Sequence, residues 1–143
     1  MTATLLLRIA SVLAGIHGLL HTIGGVFGKP APGAQETTVA IMKANQFPVM
    51  GLMRSYGDFY LGFGLFVTIA LLAEAVVFWQ LSGLMKSDAA RLRPLLGTFL
   101  ACYASYAAIA FTYFFPPPGI MEILIAACLG LAILRSKIRL AGV

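Results

Sequence analysis

His17 and His21 stand four residues apart, a spacing that stacks two imidazoles on one face of a helix. Asp58 and Glu122 add two carboxylates, Arg54 a guanidinium, and Tyr103, Tyr106 and Tyr113 three phenols that share a helix face. Such a set can do one of three things. A histidine beside a carboxylate can carry a proton. A few polar groups at the end of an apolar wall can orient the hydroxyl, carbonyl or amine of a small ligand. His17 and His21 with Asp58 and Glu122 also make four potential ligands for zinc or iron, although the HxxxH lacks the adjoining glutamate of hydrolytic zinc helices. A bis-histidine haem is disfavoured, since two histidines on one helix cannot serve both axial positions and there is no third. No particular cofactor is indicated.

The elements that carry these residues are membrane spans. The chain has 143 residues, 60% hydrophobic and only 10% charged, with a strongly positive mean hydropathy. Soluble domains carry about 25% charged residues, so this chain could not cover a water-facing surface. One all-α transmembrane domain, 1–143, is expected, built as a four-helix bundle with spans near 4–27, 56–80, 94–115 and 119–134. The Pro116-Pro117-Pro118-Gly119 run is read as the break between the last two spans. The one long connection, 28–55, is expected to hold a short helix over 35–46 with Val39 and Met42 on one face, ended by Phe47-Pro48. It serves either as a lid on the bundle mouth or as a helix lying in the headgroups.

Charge sets the expected orientation. Arg8, Lys86, Arg91, Arg93, Arg135, Lys137 and Arg139 fall on one side, and only Lys29, Lys43 and Arg54 on the other. The positive-inside rule then puts both termini in the cytoplasm of an inner-membrane protein. The net charge of +5 reflects this topology and anionic headgroups, not nucleic-acid binding. Arg8 inside the first apolar run, with no basic region before it, argues against a cleaved signal peptide. Cys102 and Cys128 show no CxxC spacing and read as inert buried thiols.

Depth follows from the helical rise. Arg8 and Glu74 come out about 28 and 27 Å from the outer ends of their spans, which suggests an ion pair or two snorkelling side chains near the cytoplasmic face. His17 falls near the midplane, with His21, Asp58, Glu122 and Tyr113 in the outer half and Arg54 one turn before Asp58. The expected site is therefore an outward-opening cavity on His17, His21, Asp58 and Glu122, supported by Arg54, Tyr106 and Tyr113, with Phe59, Tyr60, Phe63 and Tyr103 along its walls. The competing structural reading makes His21–Asp58 or Arg54–Asp58 an interhelical tie. Ala10, Ala14, Gly18, Gly24 and Gly28 in span one, and five alanines in span three, allow close helix packing or a homo-oligomer seam.

The segments His21-Thr22-Ile23-Gly24-Gly25, Tyr56-Gly57-Asp58-Phe59-Tyr60-Leu61-Gly62-Phe63-Gly64-Leu65 and Phe78-Trp79-Gln80-Leu81 resemble those of a group of small uncharacterised bacterial four-span membrane proteins. In general plan the chain is also similar to the DoxX-like and emopamil-binding-like families. That likeness implies quinone-linked oxidoreduction, or sterol binding and isomerisation. The expectation is a membrane protein that binds a small lipophilic molecule such as an isoprenoid, quinone or sterol. A membrane isomerase or quinone-linked oxidoreductase, with or without a metal, and an accessory subunit of a larger membrane complex are the alternatives. Membrane lipids are the expected surroundings in every case.

Overall fold

The computed structural model describes residues 1–141, with side chains through residue 136, so Lys137 and Arg139 of the basic side lie outside the described side chains. The chain forms α1 (Ala3–Leu20), continued by a π-helical segment His21–Val26, then α2 (Ala34–Ala44), strands β1 (Gln46–Val49) and β2 (Leu52–Ser55), α3 (Tyr56–Leu84), α4 (Ala89–Tyr113) and α5 (Pro116–Ala141). Four stretches are long and apolar enough to cross a membrane: Ala3–Val26, Tyr56–Leu84, Ala89–Tyr113 and Pro116–Ser136. The protein is a multi-pass helical membrane protein.

Several boundaries differ from expectation for local reasons. The three prolines do not break the chain. Phe114 and Phe115 do, and Pro116, Pro117 and Pro118 form the first turn of α5. First-turn N–H groups have no intrahelical acceptor, so prolines cost nothing there and their fixed φ favours helix entry. Helix α4 starts five residues before Pro94, which it holds in its interior. The run after α2 is not plain coil but an antiparallel hairpin, pairing Gln46 with Ser55 and Val49 with Leu52. Its two-residue turn has Met50 at φ 48° and Gly51 at φ 85°, the paired positive φ values that match the twist of a tight hairpin. Val39 and Met42 of α2 are half-buried, as their shared face predicts.

The chain packs as two compact units, with α1 and α3 divided between them. The first gathers Met1–His17 and everything from Leu71 onward. There α4 and α5 lie along each other, and Leu6, Leu7, Ala10 and Ala14 of α1 join Phe78, Leu81 and Met85 of α3, Leu96 and Tyr103 of α4, and Ile125, Leu129 and Ala132 of α5. Ala10 and Ala14 are fully buried, so these small side chains let the neighbouring helices approach α1 closely. Phe78 sits at its centre, edge-on to Phe99 at 5.1 Å and tilted on Tyr103 at 5.8 Å. The outward faces stay apolar, with Val12, Val76, Trp79, Ile109 and Ile123 exposed. In a membrane-spanning chain such faces meet lipid.

The second unit, Gly18–Ala70, holds the end of α1, the π-helical segment, α2, the hairpin and the start of α3. Ser55 caps α3: its Oγ accepts from the Asp58 N–H at 3.1 Å, and Asp58 Oδ2 accepts from the Ser55 N–H at 2.7 Å. This reciprocal box satisfies two donors that a helix start leaves open.

Candidate functional site

The first unit carries a buried polar cluster. His17 Nδ1 lies 3.2 Å from Glu122 Oε1, and the two residues are only 9% and 5% exposed. His17 is on α1 and Glu122 in the second turn of α5, each surrounded by aliphatic positions that pull its helix into the core. The contact is a close approach without hydrogen-bond geometry at Nδ1, and Glu122 Oε2 is buried with no donor among the described residues. Nearby, the Tyr103 hydroxyl donates a short hydrogen bond to Glu74 Oε2, and Tyr106 meets Tyr103 edge-on at 5.7 Å. The charges of His17 and Glu122 act on Glu74, and those of Glu74 and Glu122 on Tyr103. Two carboxylates, an imidazole and a phenol thus form one electrostatic group. Ser11 adds a bond to the Ala75 carbonyl at 2.6 Å.

The cluster is rich in acceptors and poor in donors. Tyr103 spends its proton on Glu74. A buried carboxylate oxygen without a partner costs several kcal/mol unless it is protonated or finds a donor. The arrangement can therefore hold a proton, or bind a group that brings one. Half-buried Glu74 and exposed Tyr106 form its open edge.

The other expected site residues have separate partners. His21 Nε2–H donates to the Gly64 carbonyl at 3.1 Å, which places its proton on that nitrogen. Thr68 donates to the same carbonyl, and Thr22 Oγ1 donates to Gly18 and stands 3.0 Å from Thr68 Oγ1. Asp58 is exposed and is held by Ser55, so neither a His21–Asp58 nor an Arg54–Asp58 tie forms. Arg54 is not one turn before Asp58 on a common helix; it belongs to β2 and donates to the Met53 carbonyl. Tyr113 ends α4 and is 77% exposed. Among the described residues no three His, Cys, Asp or Glu side chains gather closely enough for a metal ion, so His17, His21, Asp58 and Glu122 are not assembled as ligands.

Arg8 and Glu74 form no ion pair among the described residues. Arg8 stacks on Trp79 at 5.1 Å, while Glu74 turns to Tyr103. Matching depth gives the height of a residue but not its azimuth. The hollows that stand out are open grooves and not an enclosed cavity. One, of about 280 Å³, runs over α1 beside Arg8; the other, of about 260 Å³, lies between Arg54 and Phe66.

The chain matches no protein-family model, no curated protein and no solved structure. Glu74 is the member that sequence reasoning placed elsewhere. Its signal was a carboxylate in the middle of an apolar span, where a polar partner on a neighbouring helix is the default expectation.

Proposed function

We propose that this protein binds a small lipophilic molecule within the membrane and reads its polar end at the His17–Glu122 and Glu74–Tyr103 cluster. The observation that carries this reading is Glu122 Oε2, buried and without a donor. A carboxylate oxygen only accepts, so the ligand must donate. This selects, within the isoprenoid, quinone and sterol-like classes, those bearing a hydroxyl: isoprenols, sterols and quinols. Entry is along the Glu74–Tyr106 edge. The basic residues favour an inner membrane with both termini in the cytoplasm.

Native mass spectrometry of the detergent-purified protein, with lipid extraction of the same sample, tests this. The expected result is a hydroxyl-bearing lipophile at near-stoichiometric amount, reduced about tenfold in Glu122→Gln, whose amide offers its own donor; loss of one charge-assisted hydrogen bond has that size. Circular dichroism confirms that the variant keeps its helices. Equal retention by both forms would overturn the proposal.

A further inference from the structure

The groove of the second unit is lined by Arg54, Asp58, Phe59, Gly62, Phe63 and Phe66 and measures about 260 Å³. Opposite charges stand at its polar end without closing on each other: among the described residues, no nitrogen of Arg54 comes within 4.0 Å of an Asp58 oxygen. Among the described residues Arg54 has a single acceptor, the Met53 carbonyl. Asp58 uses Oδ2 for both Ser55 donors, which leaves Oδ1 without a donor among the described residues. Beyond the charges the groove is aromatic. Phe59 and Phe63 stack at 6.5 Å, and Phe66 is exposed. Gly62 lies on the same stretch of α3, and a Cβ there would meet nothing within 4 Å.

A cation and an anion held apart at one end of an apolar groove match a dipolar amphiphile. We propose that this groove seats the phosphoethanolamine head of a membrane phospholipid, with the phosphate on Arg54, the ammonium on Asp58 and the start of an acyl chain along Phe59, Phe63 and Phe66. The primary ammonium matters because it brings N–H donors to Oδ1. A trimethylated head has none, and an anionic head would set a negative charge against Asp58. This site is independent of the buried cluster and does not rest on its ligand.

The test is competition on the full chain in detergent, read by native mass spectrometry with equimolar phosphatidylethanolamine, phosphatidylcholine and phosphatidylglycerol. Phosphatidylethanolamine is expected to be retained several-fold over the other two. Asp58→Asn keeps an oxygen for the Ser55 cap and should erase the several-fold preference over phosphatidylcholine, leaving the two lipids equally retained. Gly62→Leu puts a side chain into the groove from a position where its Cβ meets nothing within 4 Å, and should reduce retention of all three. Equal retention of phosphatidylethanolamine and phosphatidylcholine by the unaltered protein overturns the proposal without any variant. A preference for phosphatidylglycerol, or full retention in Gly62→Leu, overturns it too.

Discussion

A buried carboxylate oxygen that lacks a donor is costly to the fold, so the proposed ligand role and a purely structural role predict opposite effects on stability. Replacing a buried ionic pair by apolar side chains of similar volume is commonly neutral or stabilising by about 1–4 kcal/mol. The double variant His17→Leu with Glu122→Leu should therefore raise the unfolding temperature in detergent while abolishing retention of the hydroxyl-bearing lipophile. A lower unfolding temperature would make the pair a structural tie. Tyr103→Phe removes the donor to Glu74, whose half-solvated position limits the loss to about 1 kcal/mol; Glu74→Gln in the same background should recover part of it. Ser55→Ala removes the cap of α3 and should cost about 1 kcal/mol in the same assay.

At the scale of elements, small residues are placed by two different demands. Ala10 and Ala14 serve packing. Gly28 serves the backbone, since a Cβ there would come within 2.0 Å of the Gly24 carbonyl, whereas a Cβ at Gly24 meets nothing within 4 Å. Gly28→Ala is thus expected to destabilise the end of the first span and Gly24→Ala to be tolerated, a contrast that hydrogen exchange over residues 18–30 can read. The hairpin offers the opposite case. Met50 holds a left-handed conformation at a fully exposed tip, where asparagine or glycine is better suited. Met50→Asn should slow amide exchange in both strands. The four spans could be read from composition, because each must satisfy its backbone internally and stay apolar over its length. The hairpin could not, because Pro48 and Met50 are poor strand and turn signals and its stability comes from contacts within the unit. The π-helical turn gave no pattern at all. Ser55-Tyr56-Gly57-Asp58, by contrast, is a readable capping box that assigns Asp58 a structural task before any chemical one.

Over the whole molecule, apolar composition determines the class and a handful of polar side chains determine the arrangement. His17 and Glu122 were legible as intramembrane polar residues because lipid tolerates such groups only with a reason. Their pairing was not, since rise along a helix says nothing of rotation about it. In the proposed topology, four crossings put both ends of the chain on one side. The proposed orientation predicts that Met50→Cys, at the exposed tip, reacts with an impermeant maleimide in intact cells, while Ser87→Cys, between α3 and α4, reacts only after lysis. The reverse pattern would invert the topology. The stacking of Arg8 on Trp79 has a practical consequence. Trp79 is the chain's single tryptophan beside five tyrosines, so emission excited at the red edge, where phenols do not absorb, comes from one ring under one guanidinium. Arg8→Leu should alter its intensity, and unfolding that parts α1 from α3 becomes visible optically, without any added label.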